Sequence, residues 1–310
     1  MIDLKNKKVI IAIIIFNVIT AIALIDLYMT FGKDLFNPGK AQREELRLYN
    51  GDYKEVNRLV LDENINILNK GPNDSIVYSK SNIVCRINPP KKVIKTPFDE
   101  IVTAISPFEQ DIYVATGNKL FALTYEKDSV EKKLVAELNE DSVILSIAIN
   151  DKLIFVSDTN DKTVKAIKKD SNDVIFDIKG EPKFLIPGPF FPIGLYNDQI
   201  WIADTGRHQL QIYNLQGEYV STWTPSEPLP GCCNPTDFTI VGNGNIITMQ
   251  KGISEVKMFS PTGEKICDIA PTNAFKSVSS KKQMAVFRED AIVIYDPDLQ
   301  SLRFFIRAEQ

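Results

Sequence analysis

Histidine is almost missing from this 310-residue chain, in which His208 stands alone. That excludes zinc centres built from several histidines and any mechanism that needs a histidine pair. Cysteine is scarce too. The four are Cys85, Cys232, Cys233 and Cys267, with no C-x-x-C spacing, so neither a zinc ribbon nor a thioredoxin-like site is signalled. Cationic excess is also lacking. The formal net charge is −4, and beyond residues 1–8 the chain holds 33 basic against 39 acidic residues. Phosphate contacts need a concentrated cationic surface, so nucleic acid is not an expected partner. No cofactor or metal is expected from this residue set.

What the chain does have, first, is one long apolar run. From Val9 to Ile25 the only polar side chains are Asn17 and Thr20, and after Asp26 the run continues through Leu27–Phe31. At ~1.5 Å per residue, a helix from Val9 to Phe31 reaches about 34 Å, enough for a ~30 Å hydrocarbon core. Lys5, Lys7 and Lys8 precede it, which orients the N-terminus to the cytoplasm and the rest outside, in a periplasmic or extracellular space. Ala21-Ile22-Ala23 offers a cleavage alternative. The apolar residues continue past Ala23 with no breaker before Gly32, which favours an uncleaved signal anchor over residues 1–31. Residues 32–55 read as a juxtamembrane linker. Pro38-Gly39 breaks it, and Ala41–Tyr49 has the composition of a short surface helix.

From residue 56 to 310 the pattern changes to short alternating runs separated by turn residues. Candidate inner strands begin at Ile101, Val143, Pro192, Thr236 and Phe275, spaced by 42, 49, 44 and 39 residues. Units of ~40–45 residues with four strands each are the grammar of β-propeller blades. Second strands are expected at Asp111–Thr116, Lys152–Ser157, Gln199–Asp204, Asn245–Gln250 and Gln283–Arg288, with third and fourth strands following each. A less regular first blade is expected from Val56–Leu61, Ser75–Ser79, Asn82–Ile87 and Lys92–Lys95. The sum is an all-β, six-bladed propeller behind one N-terminal transmembrane helix.

One blade carries more than the period. Pro192-Ile193-Gly194, Ile200-Trp201-Ile202-Ala203-Asp204, Thr205-Gly206-Arg207, His208–Tyr213 and Asn214-Leu215-Gln216-Gly217 closely resemble an NHL repeat. The next blade keeps the turns Asn243-Gly244-Asn245 and Pro261-Thr262-Gly263, but Gln250-Lys251-Gly252 replaces Asp-Thr-Gly; the remaining blades keep only the spacing. The resemblance implies an NHL-like propeller of the membrane-anchored bacterial type, a class of mostly interaction modules. Some related six-bladed propellers are lyases or hydrolases, so an enzyme stays open as an alternative.

By that resemblance, Asp204, Gly206 and His208 are structural, with Asp204 accepting turn amide hydrogen bonds. Cys232-Cys233 lie in a loop, Pro228–Pro235, that is poor core material because successive side chains cannot share one strand face. A redox or electron-transfer accessory role, a soft-metal thiolate pair, covalent attachment of a partner and a merely tight loop all fit. Gly231-Cys232-Cys233-Asn234-Pro235 is similar to a loop of exported bacterial NHL-like proteins. Three proline-rich connections, Asn88–Pro97, Gly180–Pro192 and Thr224–Pro235, are expected on one rim. They would gather Lys91, Lys92, Phe190, Phe191, Cys232 and Cys233 as a docking face for a membrane-associated protein partner. The two phenylalanines could equally cap the core under their own loop. Asp237 is a possible ligand at the channel mouth.

Overall fold

The computed structural model of the chain describes residues 52–61, 64–88, 92–126, 129–277 and 282–308. The expected membrane helix Val9–Phe31, the linker helix Ala41–Tyr49 and Lys91 lie outside the described residues. Among the described residues no helix is long and apolar enough to cross a membrane.

The described strands form six antiparallel four-stranded sheets, arranged as a propeller. Blade one comprises β2 (Ile67–Lys70), β3 (Ile76–Lys80), β4 (Ile83–Asn88) and β5 (Lys92–Pro97), after the opening strand β1 (Tyr53–Val60). Blade two holds β6 (Val102–Phe108), β7 (Asp111–Thr116), β8 (Lys119–Tyr125) and β9 (Val130–Glu137). Blade three holds β10 (Ile144–Ile149), β11 (Leu153–Asp158), β12 (Thr163–Lys168) and β13 (Val174–Ile178). Blade four holds β14 (Ile193–Tyr196), β15 (Gln199–Asp204), β16 (Gln209–Asn214) and β17 (Tyr219–Trp223). Blade five holds β18 (Asp237–Ile240), β19 (Ile246–Gln250), β20 (Glu255–Phe259) and β21 (Lys265–Ala270). The last strands are β22 (Gln283–Arg288), β23 (Ala291–Asp296) and β24 (Ser301–Arg307).

The second and third strands of blades three, four and five are buried on both faces because neighbouring blades stack against them, which is why they read as nearly continuous apolar runs. In β11 and β15 every residue after the first is buried, whereas Tyr219–Thr222 of the outer strand β17 are exposed. The core is accordingly a ring of inter-blade clusters. One joins Phe155 and Val164 to Ile200 and Ile202, and another joins Trp201 and Leu210 to Phe238 and Ile246.

Two strand assignments made from sequence need correction. Val56–Leu61 is not the inner strand of blade one. It falls in β1, which pairs antiparallel with β24 and supplies the outer strand of blade six, in the order β22-β23-β24-β1. Blade one instead starts with β2, a four-residue strand too short and polar (Ile-Leu-Asn-Lys) to show alternation. In blade six the inner strand is β22 and not a strand at Phe275, so Gln283–Arg288, Ala291–Asp296 and Ser301–Ile306 each move one place inward. The ring is thus closed by its first strand joining its last three, which leaves no terminal blade open.

A buried ionic latch holds that junction. Glu55 of β1 accepts from Arg303 of β24, Nη2 at 2.7 Å and Nε at 3.2 Å, and from Arg58 Nε at 2.9 Å. Arg303 Nη1 also donates to Asp296 Oδ2 at 3.0 Å and to the Ala274 carbonyl at 2.6 Å. Both Arg303 and Glu55 are buried. The Asp296–Arg303 step recurs elsewhere in the ring. An Asp ending the second strand meets a polar residue seven positions on: Asp204 with Gln211 at 2.9 Å, and Asp158 with Lys165 at 3.8 Å.

Candidate functional site

In each blade the outer-to-inner connection and the turn between the second and third strands leave at one end of the strands. The other two turns leave at the opposite end, because all four strands are antiparallel. The connections 179–192 and 224–236 therefore share a face with the turns 205–208 and 251–254. The β4–β5 connection does not. Lys92 opens β5 at the opposite face, so its backbone is not brought to Phe190 and the cysteine pair; Lys91 lies outside the described residues. Asn88 ends β4 and Lys92–Pro97 is the outer strand β5 of the same blade, so this stretch is not a link between blades.

The inner strands enclose a central cavity of about 550 Å³, to which Pro189–Leu195 contribute. Its ionisable lining residues are Lys70, Glu109 and Asp237. Lys70 is paired with Asp74 at 2.7 Å and donates to the Phe287 carbonyl at 3.2 Å. Among the described residues no three His, Cys, Asp or Glu side chains gather closely enough to hold a metal ion.

Phe191 is only 1% exposed and packs edge-on against Phe184, ring centroids 5.3 Å apart. Phe190 is buried as well, lines the cavity, and carries the Lys251 ammonium 5.3 Å from its ring centroid. Both rings sit under their own loop, and neither offers an exposed surface to a partner. The reason is the length of the connection: fourteen residues, 179–192, fold back over blade four and need their own apolar anchor.

Asp204 supplies the polar anchor. Its fully buried carboxylate accepts the Leu185 backbone N–H at 2.8 Å, Gln211 Nε2 at 2.9 Å and Arg207 Nη1 at 2.6 Å. The amide it binds belongs to the crossing loop and not to its own turn. Gly206 permits that crossing: its N–H donates to the Leu185 carbonyl at 2.8 Å, and a Cβ there would stand 2.7 Å from that oxygen. His208 closes the turn in the left-handed region, φ 58°. It is half-buried, and its ring makes no hydrogen bond among the described residues.

The cysteine pair lies where the loop 228–236 crosses the same turn. Asn234, fully buried, donates from its backbone to Thr205 O at 3.2 Å. Its side chain brackets the Lys251 peptide, Nδ2 to the carbonyl and N–H to Oδ1, both at 2.8 Å. Thr205 Oγ1 donates to the Phe190 carbonyl at 3.2 Å, so both loops are fastened to one turn. Cys233 is buried, with its Sγ 2.9 Å from the place a Cβ on Gly188 would take; Cys232 is exposed, and the two sulfurs are 3.2 Å apart. Burial and the contact with Cys232 push the Cys233 thiol up, partly offset by Lys251. Cys85 and Cys267 are buried elsewhere and form no disulfide, and burial pushes Cys267 up to about 11.

Around these loops the face exposes Leu185 and Ile253, 46% and 39% accessible. They are joined through contacts at Gly206–Leu185, Asn234–Thr205 and Gly231–Lys251. Leu185, Asn234, Lys251 and Ile253 were not singled out from sequence. Asn234 had a signal, its place between the cysteines and Pro235; the others depend on which loops meet.

No protein-family model and no curated protein matches the chain. Solved structures do resemble it. A catalytically inactive variant of virginiamycin B lyase from Staphylococcus aureus with quinupristin aligns at 14% identity and TM-score 0.55, over 79% of this chain and 80% of that one. A protein of unknown function from Bacteroides caccae aligns at 14% and 0.56, over 71% and 86%. A chain of the mitotic checkpoint complex aligns at 10% and 0.62, over 88% and 97%. At these identities the likeness is one of fold, a β-propeller.

Proposed function

We propose that the chain is a membrane-tethered, extracytoplasmic NHL-like propeller that works as a protein-interaction or assembly module. Its docking surface is the face bearing the loops 179–192 and 224–236. One observation carries this. Two proline-rich loops are fastened to a single turn at Thr205, whose hydroxyl donates to the Phe190 carbonyl and whose own carbonyl accepts the Asn234 N–H, and they leave Leu185 and Ile253 exposed on the fixed platform. Rigid loops lose little entropy on binding, and exposed apolar side chains on such a surface favour a protein partner. The tether rests on the apolar run Val9–Phe31 and the lysines before it. The NHL assignment rests on residues 192–217.

A lyase or hydrolase needs acid and base groups aimed at one reacting atom. Of the cavity's three ionisable side chains Lys70 is already paired, which weighs toward binding.

The test compares proteins captured by the detergent-solubilised full-length chain with those captured by a Leu185→Asp, Ile253→Asp double variant of unchanged melting temperature. Specific loss of one partner from the variant is the expected result. An identical captured set would refute the assignment of this face.

A further inference from the structure

The docking role leaves one chemical group unused, the adjacent thiols. Their surroundings are asymmetric in a way that assigns each a different part. Cys232 is exposed at the loop tip, where an incoming reagent can reach it. Cys233 is buried against Gly188, and the next residue, Asn234, is clamped by three hydrogen bonds to Thr205 and Lys251. The 3.2 Å separation is a thiol–thiol contact. Burial raises the Cys233 thiol, which favours its protonated form, while the exposed Cys232 is the sulfur an incoming reagent meets.

Linear two-coordinate binding of a soft ion would place the sulfurs on opposite sides of the ion. The 3.2 Å contact is shorter than that span, so the pair as it stands is nearer to covalent closure than to ion binding. Covalent closure is the shorter path, since a sulfur–sulfur bond is ~2.0 Å and roughly 1 Å of approach suffices. The exposed partner can supply it by side-chain rotation. Lys251 lies next to this chemistry, its peptide gripped by Asn234 and its ammonium over the Phe190 ring at the cavity wall.

We infer that Cys232 and Cys233 form a thiol–disulfide exchange site, with Cys232 as the attacking and Cys233 as the resolving thiol, whose substrate is an accessible disulfide on a small molecule or a protein. The site rests on the geometry of this loop and not on the docking role. In the first step the Cys232 thiolate attacks one sulfur of R–S–S–R. A Cys232–SR bond forms, the R–S–S–R bond breaks, and RS⁻ leaves to take up a proton. In the second step Cys233 loses its proton and attacks the Cys232 sulfur, forming the Cys232–Cys233 bond and releasing the second RS⁻. The dithiol gives up two electrons and two protons, and the substrate disulfide becomes two thiols.

The experiment uses the full-length chain with oxidised glutathione as the probe, followed by alkylation and peptide mass spectrometry. In the wild type, Cys232 and Cys233 become protected from alkylation together and are restored by dithiothreitol. C233S accumulates a glutathionyl adduct at Cys232, while C232S forms an adduct at Cys233 slower by on the order of tenfold, since access limits the buried thiol. Limiting iodoacetamide on the reduced wild type, which needs no variant, modifies Cys232 first. The inference is overturned if the wild-type pair stays alkylatable after oxidised glutathione, if C232S reacts as fast as C233S, or if Cys233 is alkylated first.

Discussion

Replacing Arg303 with methionine tests how the ring is held shut. The guanidinium is 1% exposed and meets two buried carboxylates, Glu55 at 2.7 Å and Asp296 at 3.0 Å. Removing it leaves Asp296 without its cation and Glu55 with Arg58 alone. Breaking a buried pair from one side costs about 3–5 kcal/mol. For a domain of this size each kcal/mol lowers the melting temperature by about 2–4 °C, so a fall of roughly 6–20 °C is expected by scanning fluorimetry. The loss is also local: amides of Tyr53–Val60 and Ser301–Arg307 lose hydrogen-exchange protection before those of blades three and four. Arg288→Ala serves as the control. Its pair with Asp290 is 73% and 52% exposed, so under ~1 kcal/mol is expected. An R303M melting temperature within about 2 °C of wild type would refute the latch.

The same latch sets an acid dependence. Burial alone would raise the Glu55 carboxyl, but bonds from Arg303 and Arg58 outweigh it and hold it below its ordinary value of 4.5. A folded value below the unfolded one means the contribution is complete above 4.5 and is lost as pH falls through the folded value. In Glu55→Gln the melting temperature, lower at neutral pH, should therefore fall less steeply below 4.5 than in wild type; parallel profiles would contradict this. Gly206→Ala puts a methyl against the Leu185 carbonyl and should cost about 1–3 kcal/mol, read as a lower urea midpoint with increased proteolysis between 180 and 191. Cys85 and Cys267 should resist alkylation in the native protein at pH 8 and react after denaturation, because burial both shields them and raises the Cys267 thiol to about 11. Native labelling of Cys267 at the rate of Cys232 would count against its packing.

The period of the blades was legible because four blades carry strong second and third strands whose limits fall within a residue of the expected ones. Asp111–Thr116, Gln199–Asp204 and Gln209–Asn214 coincide with β7, β15 and β16. The closure was not legible. Val56–Leu61 alternates as any half-buried strand does, and nothing local reveals that its partner is β24, where Arg303 stands opposite Arg58. Shifting that one strand moves every strand of blade six by a place. At the site, the thiol pair was visible as two adjacent cysteines in a proline-rich loop. That Cys233 is buried and Cys232 exposed goes with Asn234 gripping Lys251, a contact within blade five between residues far apart in sequence. The phenylalanines left two readings open, because Phe-Phe in a long loop has the same composition whether it caps the core or faces a partner; their burial is that of a cap.

Chemical cross-linking of the full-length chain in intact membranes, with peptide identification, tests the docking face most directly. Lys183 and Lys251 stand at the face carrying the two fastened loops, while Lys152 and Lys168 stand at the opposite end of blade three. Cross-links to a partner should concentrate at Lys183 and Lys251. Partner cross-links that fall mainly on Lys152 and Lys168 would contradict the assignment of that face.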